Sequence, residues 1–196
     1  MCPGGDPSEQ TLSYWGGQVE QLISATSSHV VIHNLRGPTA TRAAVDAAFQ
    51  DSDILLYFGH GDWSQLGDPN VLVDQASAAP PTSIIVAIAC RSSRDLGQAL
   101  VDNGLRAYVG FADDLLWVTS LASQFGSAIV TGLSDYIRLS TSIGQAHESI
   151  RAELDRLLDF YKNGDGRKHR DAVLAWTFAY WDRMHVVGYG DPAAVI

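Results

Sequence analysis

Two apolar runs of the chain each end in a side chain that can do chemistry. The first covers residues 53–61 and carries His60, and the second covers residues 83–91 and carries Cys90. A thiol is a good nucleophile only as the thiolate, and a neighbouring imidazole supplies that state by taking its proton. A histidine and a cysteine held side by side therefore predict a nucleophile and its base.

Both runs are rich in Ile, Leu and Val and have no helical period. Such runs are typical of strands buried on both faces of a parallel sheet. Neighbouring parallel strands end at the same edge of a sheet, and ligands bind beyond their carboxyl ends. We therefore expect His60 and Cys90 to meet there. A cysteine considered alone is more often a small buried residue than a catalyst. The hypothesis of a cysteine peptidase therefore depends on the occurrence of both residues at the ends of two buried strands.

Attack of a thiolate on an amide carbonyl builds an oxyanion, which needs fixed hydrogen-bond donors. At the expected edge of the sheet these donors are the backbone N–H groups of Gly61 and Cys90. Glycine at position 61 also lets a substrate backbone come close.

Strand patterns alternate with helical patterns, which predicts an α/β protein with a mostly parallel sheet. We expect residues 1–8 to be disordered and residues 9–196 to form a single domain. Helices are predicted at 8–26, from a cap at 39 or 41 to 50, and at 95–103, 116–139, 142–161 and 171–181. Further strands are predicted at 29–34, 70–74, 106–111 and 184–188.

Composition excludes several classes of function. The formal net charge of −9 over 196 residues argues against nucleic acid, because phosphate binding needs a basic patch. No apolar stretch reaches the length of a membrane span, and the polar N-terminus predicts no signal peptide. Two cysteines do not make a disulfide framework, and a free thiol suits the reducing cytoplasm. We expect no metal or other cofactor, because His29 and His33 lack a third ligand at metal spacing.

The two runs resemble the caspase-like peptidase superfamily, and within it the CHAT domains and the gingipain-type peptidases. Residues 55–61 are similar to the histidine strand of that superfamily. Residues 85–92 are similar to its cysteine strand, in which Ala-Cys is characteristic. The helix, turn and strand of residues 96–111 follow in the same order, as does the Gly-Asp-Pro ending of residues 186–192. The resemblance covers roughly residues 50–192.

The chain departs from the caspase signature at the cysteine. That signature has Gln-Ala-Cys followed by Arg, Gln or Gly and then Gly, with the histidine about 50 residues upstream. Here the sequence around Cys90 is Ile-Ala-Cys-Arg-Ser, and His60 precedes the cysteine by 30 residues. The preference of animal caspases for aspartate is therefore not implied, and the shorter spacing suits the CHAT-like branch.

The resemblance implies a caspase-like three-layer α/β/α sandwich and a catalytic dyad of His60 and Cys90. It also implies a protein or peptide substrate and control by a regulatory partner or a fused domain. Many relatives cut after Arg or Lys by means of an acidic pocket residue. The chain offers Asp113, Asp114 and Asp62 for this role, although each of them is equally suited to be a helix cap or a solvated charge.

Two alternatives to an endopeptidase stay open. The first is a catalytically silent caspase-like scaffold or protein-binding module, against which the intact His60 and Cys90 argue. The second is another thiol chemistry on the same dyad, such as acyl transfer or amide hydrolysis on a small molecule.

Overall fold

The computed structural model describes residues 6–26, 31–139 and 141–195. Its strands are β1 (Ile54–Phe58), β2 (Gln65–Leu66), β3 (Val73–Asp74), β4 (Ile84–Ile88), β5 (Ala107–Phe111) and β6 (Val186–Gly190). Its helices are α1 (Pro7–Thr26), α2 (Arg42–Gln50), α3 (Leu96–Asp102), α4 (Ala122–Leu139), α5 (Ile143–Lys162) and α6 (Ala172–His185).

The main sheet has four strands in the order β1-β4-β5-β6. The strands β1, β4 and β5 are parallel, and β6 runs antiparallel to β5. A separate antiparallel pair joins β2 to β3. The prediction of an α/β fold with a mostly parallel sheet is confirmed.

Every side chain of β4 is buried, which explains why its sequence is continuously apolar. Alternate residues point to opposite faces of the sheet. Ile84 and Val86 pack into a core shared with α1, α4, α5 and α6. Ile85 and Ala87 pack into a second core with α2 and α3. The molecule is therefore a three-layer α/β/α sandwich, as predicted.

Helix α1 is held firmly on the first of these cores. Trp15 is 1 % exposed and meets the ring of Trp117 edge to face, with centroids 5.3 Å apart. Its indole lies against Gly126 of α4, where a Cβ atom would collide with it. This packing matters for the site below, because the first turn of α1 reaches His60.

The cap signals of two helices match the sequence. The side chain of Thr41 accepts a hydrogen bond from the N–H of Ala44 at the start of α2. Ser142 and Gln145 form a reciprocal capping box at the start of α5. Gly104 follows α3 with a φ of +107°, a conformation that favours glycine.

Several boundaries differ from the predictions. Residues 184–185, predicted as the start of the last strand, belong to α6, and the strand runs over Val186–Gly190. Of the strand predicted at 70–74, only Val73–Asp74 is strand. The strand predicted at 29–34 was wrong for residues 31–34, which pair with no strand, and positions 29 and 30 lie outside the described residues. Helix α4 begins at Ala122, not at 116, because an irregular segment and a short 3₁₀ turn come first. Helix α1 begins at Pro7, inside the segment 1–8 for which we expected disorder; residues 1–5 lie outside the described residues.

In the described part of the chain, no helix combines the length and the apolar character that crossing a bilayer requires.

Candidate active site

The carboxyl ends of β1 and β4 bring His60 and Cys90 to one edge of the sheet. The parallel register pairs Phe58 with Ile88. The ladder extends one step further, because the N–H of Gly59 donates to the carbonyl of Ile88 at 3.3 Å. Two residues beyond this register, His60 and Cys90 lie on neighbouring strand ends, at the position expected from the sequence.

The backbone of His60 is fixed by two donors. Its carbonyl accepts from the hydroxyl of Tyr57 at 2.6 Å and from the N–H of Gly67 at 2.9 Å. The imidazole Nε2 lies 2.9 Å from Oδ2 of Asp6 and 3.8 Å from Oε1 of Glu9. Both carboxylates belong to the start of α1, so the side chain of His60 is engaged by the N-terminal helix.

The thiol of Cys90 is half-buried beneath the loop that follows β5. Its Sγ lies 3.9 Å from the carbonyl oxygen of Leu115, and none of the hydrogen bonds among the described residues joins it to His60. Burial raises the pKa of this thiol most, and the carboxylates of Asp114 and Asp182 raise it further, whereas a backbone hydrogen bond of Leu115 and the guanidinium of Arg91 lower it. In this arrangement Cys90 is therefore a protonated thiol at neutral pH.

The turn that follows Cys90 is strained. Arg91 has a φ of +53°, and it is the only non-glycine residue with a positive φ in the described ranges. This left-handed conformation costs about 1 kcal/mol for a residue with a side chain. The turn is held by the N–H of Arg91, which donates to the carbonyl of Asp113 at 2.9 Å, and by the hydroxyl of Ser92, which donates to the carbonyl of Ala89 at 3.1 Å. Strained strand-to-helix turns expose nucleophiles in other hydrolases.

Two backbone N–H groups, those of Gly61 and Cys90, lie at the same edge of the sheet. Neither the N–H of Gly61 nor that of Cys90 donates to any acceptor within the described segments. They are the two groups that the sequence suggested for an oxyanion. Gly61 also packs closely on the end of β4, since a Cβ atom there would lie 2.9 Å from the carbonyl oxygen of Cys90 and 3.1 Å from Cβ of Ala89. Glycine is therefore required at position 61 by the packing of the two strand ends.

The acidic residues after β5 are already paired within the chain. Nη2 of Arg91 lies 2.7 Å from Oδ2 of Asp114, and Nε of Arg91 lies 4.0 Å from Oδ1 of Asp113. The same guanidinium lies over the ring of Trp63, 5.4 Å from its centroid. An arginine of this protein thus pairs with the two carboxylates that the sequence offered either for a substrate pocket or as caps and solvated charges.

Asp62 has a local structural role. Its Oδ1 accepts hydrogen bonds from the N–H of Ser64 at 2.8 Å and from the N–H of Gln65 at 3.2 Å. These contacts close the turn between β1 and β2, and they are the cap-like alternative that the sequence left open for this residue. Trp117, which flanks the loop after β5, packs against Trp15 in the core.

The carboxylate of Asp182 belongs to the surroundings of the thiol and was missed from the sequence. It is 1 % exposed, and its Oδ1 accepts from the N–H of Leu116 at 2.9 Å. Its Oδ2 is buried and finds no partner in the part of the chain that the structure describes. Burial raises the pKa of this carboxyl well above its ordinary value, which favours the protonated form. Its helical position on α6 carries no signal that could have revealed this contact.

Asp6, Glu9 and Arg91 were also missed as neighbours of the dyad. The spacing of Asp6 and Glu9 is that of a capping box, which indicates a helix start but not the partner that the helix start will meet. The edge carries a thiol, an imidazole on the neighbouring strand end and two backbone N–H groups that have no acceptor among the described residues. Comparison with protein-family models, with curated proteins and with solved structures found no match to this chain.

Proposed function

We propose that this protein is a cysteine endopeptidase in which Cys90 is the nucleophile and His60 is the base. The observation that carries the proposal is the register of β1 on β4, which pairs Phe58 with Ile88 and so delivers both side chains to the same edge. The two unused N–H groups of Gly61 and Cys90 support it, because an oxyanion needs donors without other partners.

The reaction proceeds in two halves. The imidazole of His60 takes the thiol proton, and the thiolate of Cys90 forms a C–S bond to the substrate carbonyl carbon. The N–H groups of Gly61 and Cys90 stabilise the oxyanion. The imidazolium then gives its proton to the amine leaving group as the C–N bond breaks. In the second half His60 deprotonates water, which attacks the thioester carbonyl, and Cys90 leaves as the thiolate and recovers the proton.

The proposal includes control of this site. In the described arrangement the thiol of Cys90 has a raised pKa and contacts Leu115, not His60. Proton transfer requires the two side chains to approach each other. A regulatory partner or a fused domain that exposes the thiol and moves the carboxylate of Asp114 away from it would lower the pKa of Cys90 and free the thiol for His60. The basic residue that the resemblance implies at the cleavage site is also part of the proposal, and it must displace Arg91 from Asp114.

A second candidate is a catalytically silent scaffold or protein-binding module. Two observations favour it: the thiol of Cys90 has its pKa raised, and the imidazole of His60 is turned to the carboxylate of Asp6. Both candidates have the same fold, and the reactivity of Cys90 separates them.

The test is covalent labelling. The protein is treated with a peptidyl acyloxymethyl ketone and analysed by intact mass and peptide mapping, next to the variants Cys90→Ala and His60→Ala. His33→Ala is the matched control, since it removes an exposed imidazole away from the site. We expect one adduct on Cys90 that is lost in the first two variants and kept in the control. Labelling of Cys90 no faster than that of Cys2 would show that the chain by itself is not an active peptidase, and would favour the scaffold or an enzyme that requires its regulatory partner.

A further inference from the structure

The first turn of α1 divides the two oxygens of one carboxylate between a helix cap and an imidazole. Oδ1 of Asp6 accepts from the N–H of Ser8 at 2.7 Å and from the N–H of Glu9 at 2.9 Å. Oδ2 of the same residue lies 2.9 Å from Nε2 of His60. The cap therefore fixes the orientation of the carboxylate, and the remaining oxygen faces the ring.

A second carboxylate, that of Glu9, holds the backbone of Asp6 and lies near the same imidazole. Glu9 is 7 % exposed, and its Oε2 accepts from the backbone N–H of Asp6 at 3.3 Å. Its Oε1 lies 3.8 Å from Nε2 of His60. The helix that carries both residues is anchored in the core by Leu12 and Trp15, which are 3 % and 1 % exposed. The contact to His60 thus comes from a rigid element.

The chemistry of the contact decides which nitrogen of the ring holds the proton. Hydrogen bonds from the N–H of Glu9 and from His60 lower the pKa of Asp6, so its carboxylate is ionised at neutral pH and can only accept. A neutral imidazole opposite it must carry its proton on Nε2. Nδ1 is then the nitrogen with a free lone pair, and it is the one that can take the proton of Cys90.

We propose that Asp6 is a positioning residue that holds His60 in the Nε2–H tautomer, so that α1 completes the site formed by β1 and β4. The carboxylate orients the imidazole and stabilises the imidazolium that forms when the thiol gives up its proton. The effect on catalysis rests on the proposed peptidase function, whereas the tautomer of His60 does not.

The test uses Asp6→Asn in the full chain. Asparagine keeps an acceptor for the helix cap and caps about as well as aspartate, so the unfolding midpoint should stay near that of the wild type. Its amide places a donor where Oδ2 was, which can pair only with an unprotonated Nε2. We expect the ratio of the Nε2–H to the Nδ1–H tautomer to fall at least about tenfold, since one charge-assisted hydrogen bond is lost.

The tautomer is read from the ¹⁵N shifts of the imidazole nitrogens in long-range ¹H–¹⁵N NMR spectra. The variant His60→Gln assigns the signals of His60 among the six histidines. Asp46→Asn is the charge-matched control, because it removes an exposed carboxylate on α2 that pairs, within the described residues, with Arg42 alone at 3.3 Å. A wild-type His60 in the Nδ1–H form, or an Asp6→Asn spectrum with unchanged tautomers, would overturn the proposal.

Labelling of Cys90 in the same samples separates this proposal from the proposed function. A fall of about ten- to a hundredfold in the labelling rate of Asp6→Asn supports the positioning role. Equal labelling of variant and wild type overturns it. If neither protein is labelled and the tautomer still shifts as expected, the contact between Asp6 and His60 stands, and the chain by itself is not an active peptidase.

Discussion

Removing the guanidinium of Arg91 should change which substrate side chain the site accepts. Arg91 pairs with Asp114 and lies over Trp63, beside the nucleophile. In the wild type a basic side chain must displace this arginine to reach the carboxylate. In Arg91→Ala the carboxylate of Asp114 loses this partner and the ring of Trp63 keeps the guanidinium of Arg94, so we expect a basic side chain to bind the carboxylate directly.

The size of the effect follows from the exposure of the pair. The side chains of Arg91 and Asp114 are 41 % and 39 % exposed, which places their ion pair among surface pairs worth about 0.2–1 kcal/mol. The cation–π contact with Trp63 adds about 0.5–1 kcal/mol at an exposed site. The two contacts together amount to about 0.7–2 kcal/mol. Since 1.4 kcal/mol corresponds to a factor of ten, selectivity for a basic side chain should rise by about three- to thirtyfold.

The assay compares two acyloxymethyl ketones that differ in one group, with arginine or uncharged citrulline next to the reactive carbon. The quantity is the ratio of their labelling rates on Cys90. A ratio is needed because loss of the positive charge of Arg91 raises the pKa of the thiol and slows both probes alike. Arg94→Ala is the matched control, since Arg94 also lies 5.4 Å from the centroid of Trp63 and has no ion pair with a described carboxylate.

We expect the ratio to rise in Arg91→Ala and to change less than about twofold in Arg94→Ala. An unchanged ratio in Arg91→Ala would refute the idea that this arginine occupies the acidic pocket. An equal rise in both variants would show that the net charge around the site sets the selectivity, not the pairing with Asp114.

Three further predictions concern packing and buried charge. Asp182 has a raised pKa in the folded state, so the native protein holds a proton that the unfolded chain releases. As pH rises from the ordinary pKa of aspartate towards the raised value, the wild type should lose stability relative to Asp182→Asn by up to about 1.4 kcal/mol per pH unit. Urea unfolding of both proteins from pH 4 to pH 8 measures this change. A difference in unfolding free energy that stays constant with pH contradicts the prediction. Gly61→Ala should destabilise the protein by about 1–3 kcal/mol, because its Cβ would lie 2.9 Å from the carbonyl oxygen of Cys90. The same substitution should slow the labelling of Cys90 at least about tenfold. A labelling rate equal to that of the wild type would show that the two strand ends adapt to the added Cβ atom. Gly132→Ala should destabilise by about 1–3 kcal/mol, because its Cβ would lie 2.6 Å from a Cα atom of α5. Gly17→Ala should instead stabilise the protein by about 0.5–1 kcal/mol, because Gly17 lies in the interior of α1 and its added Cβ atom would meet no atom closer than 3.7 Å. Urea unfolding curves measure both variants. Changes of the same sign in Gly132→Ala and Gly17→Ala would contradict these two predictions.

The sequence by itself determined the sheet and the place of its reactive residues. β1, β4 and β5 were found because strands buried on both faces must be continuously apolar. The edge that carries His60 and Cys90 followed, because parallel strands end together. The start of α2 at Thr41 and that of α5 at Ser142 were also visible, since a capping side chain satisfies N–H groups within its own helical turn.

Only the tertiary structure decided which of these local patterns acquired partners. Residues 31–34 have the composition of a strand, but strand formation needs a neighbour, and none pairs with them. The segment before α4 has helical spacing, yet the N–H of Leu116 donates to Asp182, which lies 66 residues away. A local pattern contains no information about a contact made across that distance.

The positions of His60 and Cys90 follow from local sequence, whereas the contacts of their side chains are made with residues far away in the chain. Strand direction alone places His60 and Cys90 together, because it depends on the backbone. The contacts that govern their chemistry join Asp6 to His60 across 54 residues and Arg91 to Asp114 across 23. They depend on side-chain rotamers and on how α1 and the loop after β5 pack on the sheet. The sequence therefore predicts where a nucleophile and a base lie, and the packing of distant elements decides their protonation and their partners.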